Sequence, residues 1–200
     1  MNNTNYDKKQ QEIINNLKSG SEKPTLLLHS CCAPCSTSCL ERLYPYFKID
    51  ILYYNPNIND SEEYYKRLNE QKRFILDRYN SDINVLETTY NPSEFFLAVK
   101  GYEEDKEGSN RCKICYELRL KETCKFAKEK GYDYFTTTLS VSPYKNATWL
   151  NEIGESLQKE YGVNYLYADF KKGGGYLRSI ELSKEYNLFR QDYCGCDFSK

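Results

Sequence analysis

Nine cysteines and one histidine set the chemistry open to this chain of 200 residues. Three groups stand out. Cys31-Cys32-Ala33-Pro34-Cys35 is followed one helical turn later by Cys39, and Cys112-Lys113-Ile114-Cys115 and Cys194-Gly195-Cys196 lie far downstream. Only Cys124 stands alone. A Cys/His zinc finger or a histidine-rich site is excluded, because His29 has no second histidine to join it. The two C-x-x-C pairs, Cys32/Cys35 and Cys112/Cys115, suit zinc or an iron–sulfur cluster. Seven cysteines in three groups exceed one tetrahedral site. The surplus points to a cluster beside a second metal, or to a cluster beside a redox pair.

The elements around these groups must bring them together. Residues 1–23 read as a polar segment with a short helix carrying Ile13, Ile14 and Leu17. Thr25-Leu-Leu-Leu-His29 is a buried strand, and a helix follows from near Cys35 with Leu40, Leu43, Tyr44 and Phe47 on its stripe. Further strands are predicted at Asp50–Tyr54, Ile83–Thr89, Tyr134–Leu139 and Asn164–Ala168. Helices are predicted from Ser61 through residue 79, from Pro92 to near Gly101, from near Cys112 to Gly131, around Leu150–Tyr161, and from Leu177 to Asn187. Alternating strands and helices predict an α/β fold: a doubly wound, mostly parallel five-stranded sheet in the order 3-2-1-4-5, with helices on both faces. No repeat or linker divides the chain, so residues 1–200 are read as one domain.

In such a sheet a ligand sits beyond the carboxyl ends of the strands, where the strand order reverses. Here that is between the first and fourth strands. Cys31, Cys32 and Cys35 directly follow the first strand, and Ser140-Val-Ser-Pro-Tyr-Lys145 follows the fourth. The helix bearing Cys112 and Cys115 leads into the fourth strand, so its amino end lies on the same edge. Cys194 and Cys196 reach that edge only if residues 188–196 run back extended. Nine residues span up to about 30 Å, which suffices. A helix amino terminus lowers thiol pKa and stabilises negative charge on sulfur.

Composition narrows the class. With 40% hydrophobic and 28% charged residues and only 10 Gly and 6 Pro, the chain is neither disordered nor collagen-like. No apolar run is long enough to span a membrane. The polar start, Met1 to Gln10, predicts no secretory leader and a cytoplasmic location. An odd cysteine count there argues against a disulfide scaffold. The formal net charge is -1; residues 111–200 hold the basic excess, so any nucleic-acid contact belongs there. The 20 tyrosines accompany abundant Lys, Asn and Ile, a compositional bias more than a set of stacking platforms. Cys124 and Cys39 read as packing thiols, His29 as a satisfied core residue, Gly173-Gly-Gly175 as a flexible loop, and 103–107 as a solvated acidic run.

Five stretches together resemble the QueH-type epoxyqueuosine reductases: Leu28-His-Ser-Cys-Cys-Ala-Pro-Cys35, Arg111-Cys-Lys-Ile-Cys-Tyr-Glu-Leu-Arg119, Thr138-Leu-Ser-Val-Ser-Pro-Tyr-Lys145, Gly175-Tyr-Leu-Arg-Ser-Ile180 and Tyr186-Asn-Leu-Phe-Arg-Gln-Asp-Tyr-Cys-Gly-Cys196. They recur in order across about residues 25–196. The resemblance implies a Rossmann-like (HUP-type) fold, a [4Fe-4S] cluster beside a single iron, and no cobalamin. It implies reduction of epoxyqueuosine to queuosine at the wobble position of a tRNA anticodon. Cys31, Cys32, Cys112 and Cys115 fit the cluster ligands, and Cys35, Cys194 and Cys196 the second iron. Since some family members carry a carboxylate at the place of Cys35, the second set is the less fixed. Nothing in the sequence binds a flavin or nicotinamide, so a separate electron donor of ferredoxin or flavodoxin type is expected. Tyr144 and Lys145 are candidates for proton delivery, and Arg178 and Tyr193 for contacts to the anticodon loop. Two rivals are a thiol–disulfide oxidoreductase using Cys32/Cys35 and a non-catalytic zinc protein that binds RNA. An ATP-dependent tRNA-modifying enzyme would need a phosphate loop after the first strand, where the cysteines stand.

Overall fold

Leu26, Leu27 and Leu28 are all fully buried, so the first strand has no solvent face. That is the mark of a central strand in a parallel sheet. The computed structural model describes residues 4–17 and 22–199. Strands β1 (Thr25–His29), β2 (Lys48–Tyr53), β3 (Val85–Glu87), β4 (Tyr134–Thr137) and β5 (Asn164–Tyr165) form one sheet in the order β3-β2-β1-β4-β5. Every pairing is parallel, with Leu28 opposite Ile51 on one side and Thr136 on the other. The expected strand order therefore holds, and so does the α/β class.

Seven helices surround the sheet among the described residues: α1 (Tyr6–Leu17), α2 (Ala33–Leu43), α3 (Ser61–Tyr79), α4 (Ser93–Ala98), α5 (Asn110–Lys130), α6 (Ala147–Tyr161) and α7 (Gly175–Glu185). Alternate strand residues feed two cores. Leu26, Leu28, Ile49 and Ile51 pack with Leu40 and Leu43 of α2 and Phe74 and Ile75 of α3. Leu27, Leu52 and Phe135 pack with Tyr116, Leu120 and Cys124 of α5 and with Leu150, Ile153 and Leu157 of α6. Side chains that alternate across each strand put one set on each face.

The strands are shorter than the apolar runs suggest. β3 holds three residues and β5 two, because at the sheet edges extended backbone has no second neighbour to pair with. β4 stops at Thr137, whose hydroxyl accepts from Leu139 N–H and starts a 3-10 turn over Thr138–Val141. This turn carries the chain over the sheet edge toward Lys145. Of the expected N-terminal helix, residues 1–3 and 18–21 lie outside the described residues. Helices α2 and α5 begin two residues earlier than expected, at Ala33 and Asn110, so Cys35 and Cys112 sit inside the first turns. His29 is a satisfied core residue. Thr137 Oγ1 lies 2.9 Å from Nδ1, and the Tyr54 carbonyl 3.0 Å from Nε2. Burial lowers its pKa to about 4, with the Arg119 charge adding.

Candidate metal centre

β1 ends at His29, and the chain turns at once into α2. Cys32 occupies the N-cap in extended backbone (φ -175°) and makes no side-chain cap, with Pro34 in the first helical turn. A thiol thus stands where a serine or aspartate would ordinarily satisfy the first amides. The Sγ atoms of Cys31, Cys32 and Cys35 all lie within 4.8 Å of one another. A buried network holds this loop. Ser30 Oγ donates to Gln71 Oε1 of α3 at 2.8 Å, Gln71 Nε2 donates to Ser36 Oγ at 3.0 Å, and Asn55 Nδ2 donates to the Ser30 carbonyl at 2.9 Å.

Cys112 and Cys115 lie on the first turns of α5, three residues apart and so on one face. The Gly108 amide donates to Cys112 Sγ at 3.3 Å. Before them, the 102–110 segment does not behave as a plain solvated loop. It wraps the guanidinium of Arg111, only 2% exposed, which donates to the carbonyls of Tyr102, Glu103, Asp105 and Phe198. Glu107, the last acid of the run, stays exposed and meets Lys145 Nζ at 3.4 Å.

The third group arrives along α3. Arg73 donates to the Tyr186 and Asn187 carbonyls, Glu70 accepts from the Phe189 amide at 2.8 Å, and Arg67 donates to the Cys194 carbonyl at 3.3 Å. These three side chains, spaced by three along one helix face, steer the tail back to the cysteine edge. The Gly195 carbonyl then accepts from Asn59 N–H, and Asn59 Oδ1 accepts from Asp197 N–H. Gly195 has φ +102°, and a Cβ there would lie 3.0 Å from Ile58 Cγ1 and 3.2 Å from Arg67 Nη1. Gly195→Ala is therefore expected to cost about 1–3 kcal/mol locally. Denaturant unfolding reads that loss, and iron analysis reads the accompanying displacement of Cys194 and Cys196.

Two adjoining cavities result. The larger, about 400 Å³, is lined by Cys31, Cys32, Cys35 and Cys194 together with Arg67, Tyr144, Tyr176, Arg190 and Tyr193. The smaller is lined by Cys112, Cys115, Cys194 and Cys196. Glu107, Arg119, Lys145 and Cys194 line both. Lys145 Nζ donates to Cys194 Sγ at 3.1 Å, and its side chain is 9% exposed. Although burial works against the ammonium, the Cys194 sulfur raises its pKa. Hydrogen bonds from Cys32 and Cys35 hold the Cys31 thiol well below the usual thiol range. Hydrogen bonds with Cys31 and Cys32, and burial, push Cys35 well above it. Burial pushes Cys115 up to about 12. Protons shared among crowded sulfurs are what a metal displaces on binding.

The structure brings all seven grouped cysteines to one edge. Tyr144 stands at the cavity wall, 79% exposed. The Tyr193 ring lies 5.3 Å from the Arg67 guanidinium. Arg178 lines neither cavity; its Nε and Nη2 bind both oxygens of Glu41, at 2.8 and 2.9 Å, and its Nη1 meets Glu181. Cys124 is buried in the core, and Cys39 donates to the Cys35 carbonyl at 3.2 Å. Gly173 and Gly174 form the turn before α7, and a Cβ on Gly175, its first residue, would meet the Phe170 carbonyl at 1.9 Å. Sequence reasoning missed Arg67, Arg119, Arg190 and Glu107. For Arg119 the signal was present, since it lies four residues after Cys115 and so on the same face.

A doubly wound parallel sheet with thiols from three segments gathered at its switch point defines a Rossmann-like protein whose cysteines could hold a metal. The family model described as "Epoxyqueuosine reductase QueH" matches residues 26–200. The chain belongs to the epoxyqueuosine reductase QueH family. It is 46% identical over 200 residues to the epoxyqueuosine reductase QueH of Staphylococcus epidermidis, covering 98% of this chain and 84% of that one. The corresponding proteins of Streptococcus pyogenes serotype M1 and Thermotoga maritima are 39% and 37% identical, with 98% and 88% of this chain covered and 78% and 90% of theirs. Among solved structures, the U34-tRNA thiolase NcsA from Methanococcus maripaludis, with its [4Fe-4S] cluster, superposes with a TM-score of 0.56 at 13% identity. It covers 98% of this chain and 68% of that one, and shows a shared fold. No described helix is long and apolar enough to cross a membrane.

Proposed function

We propose that this chain, residues 1–200 as one catalytic domain, reduces epoxyqueuosine to queuosine in the anticodon of a cytoplasmic tRNA, the last step of queuosine synthesis. The observation that carries the reading is the convergence of Cys31, Cys32 and Cys35 with Cys112, Cys115, Cys194 and Cys196 around two adjoining cavities. Converting an epoxide to an alkene consumes two electrons and two protons and releases water.

The donor set fits an iron–sulfur cofactor. Soft thiolates select such centres. Cys31, Cys32, Cys112 and Cys115 would hold a [4Fe-4S] cluster, and Cys35, Cys194 and Cys196 a single iron. When bound, these groups supply single electrons and a Lewis acid for the departing oxygen. The sulfur positions favour a second partition as well. Cys31, Cys32 and Cys35 sit together, whereas Cys112, Cys115, Cys194 and Cys196 line the smaller cavity and would supply four thiolates of their own.

The chain's own residues do the rest. The Lys145 ammonium, held between Cys194 and Glu107, protonates the leaving oxygen. Exposed Tyr144 is placed to join the proton path or to meet the anticodon nucleotides. Tyr193, under the Arg67 guanidinium, offers a stacking face to a splayed base. Arg178 contacts the RNA backbone from the rim by releasing part of its hold on Glu181. An external ferredoxin or flavodoxin-type protein delivers the electrons.

The test is anaerobic incubation with epoxyqueuosine-containing tRNA and dithionite, followed by nucleoside analysis. Queuosine formed in proportion to iron content is the expected result. An iron-loaded protein that leaves the epoxide intact, or an iron-free dithiol form that reduces it, contradicts the reading.

A further inference from the structure

Four buried or nearly buried cations stand near the cysteines; two have a carboxylate partner and a third is wrapped in carbonyls. Arg67 Nε meets Glu63 at 2.7 Å, Lys145 meets Glu107, and Arg111 is wrapped in carbonyls. Arg119 differs. It is 1% exposed and its Nε donates to the Cys115 carbonyl at 3.3 Å, while its Nη2, like Arg67 Nη2 and Arg111 Nε, has no hydrogen-bond partner. The groups that act most strongly on its charge are Cys115, Cys194, Cys31 and Tyr116, and it has no ion pair with a described carboxylate. An isolated buried cation costs several kcal/mol unless opposite charge lies close by. The sulfurs that act on it come from all three cysteine groups. Arg119 also lines both cavities, so it faces both halves of the sulfur cage.

We propose that Arg119 is the internal counter-ion of the sulfur cage, a positioning residue whose charge rather than shape holds the thiolates together and raises the potential at which a bound cluster accepts an electron. The proposal rests on the iron–sulfur reading above. A thiolate-ligated cluster is anionic and becomes more so on reduction. A fixed positive charge in a low-dielectric site stabilises the reduced form more than the oxidised one. The helix supplies the geometry, because Arg119 follows Cys115 by four residues and Cys112 by seven on one face of α5.

The experiment compares wild type with Arg119→Gln, Arg119→Met and Arg119→Lys, all purified anaerobically. Iron and sulfide per chain are measured first, and the cluster is then titrated potentiometrically with electron paramagnetic resonance as the readout. In the neutral variants the one-electron reduction equilibrium is expected to fall about tenfold, a midpoint lower by about 59 mV. Arg119→Lys is expected to recover most of that shift. Should both neutral variants lose iron while Arg119→Lys keeps it, the same dependence on charge is read as retention and supports the proposal. An unmoved midpoint in a loaded neutral variant overturns it, as does equal loss of iron from all three variants. Wild-type protein without acid-labile sulfide is a different failure: it removes the iron–sulfur reading itself and the proposal with it.

Discussion

Cys112→Ala/Cys115→Ala protein is expected to purify without inorganic sulfide and to leave epoxyqueuosine unreduced. Both partitions of the sulfurs give these two cysteines to the cluster, and α5 presents them together on its first turns. Removing two of four thiolates leaves no complete ligand set. The tail separates the partitions. If Cys194 and Cys196 hold a single iron, Cys194→Ala/Cys196→Ala keeps its sulfide, loses iron and loses activity. If they complete the four-thiolate set of the smaller cavity, sulfide disappears from this variant too. Retained epoxide reduction in the tail variant contradicts both. Thermal unfolding of each variant, compared with wild type at equal metal content, checks that the sheet persists.

Lys145→Met is expected to lower the single-turnover rate by about 10²–10⁴-fold with iron and sulfide unchanged, the range a positioned general acid contributes. The ammonium lies 3.1 Å from Cys194 Sγ and lines both cavities. Its stem is buried, so methionine replaces it with little loss of packing. Arg119 and Lys145 are separable by conservative variants. Lys145→Arg keeps the charge but offers no proton that can leave, so the rate stays low. A rate restored by Lys145→Arg would make Lys145 a second counter-ion and take it out of the proton path.

The strand order was legible because β1 carries Leu26, Leu27 and Leu28 in a row, β2 carries Ile49, Ile51 and Leu52, and both alternate with helices of clear period. The edge strands were overestimated because β-prone residues such as Ile83, Thr88 and Thr89 extend beyond the region where a neighbouring strand pairs with them. The position of the first two cysteine groups followed from their places after β1 and at the start of α5. Their partners in charge were harder to find. Arg67 and Arg119 become functional only when α3 and α5 pack against the tail, a long-range contact that no local pattern carries. Glu107 was hidden in an acidic run whose other members serve the backbone around Arg111. Arg178 was legible through its place in a recurring stretch, whereas its pairing with Glu41, which joins α2 to α7, is a long-range contact that no local pattern carries.

Iron, zinc and acid-labile sulfide counted per chain in anaerobically purified wild-type protein test most directly whether three distant segments build one redox centre. The expected result is bound sulfide with iron in excess of it and little zinc. A colourless protein that holds zinc or no metal, yet still converts the epoxide, would contradict it.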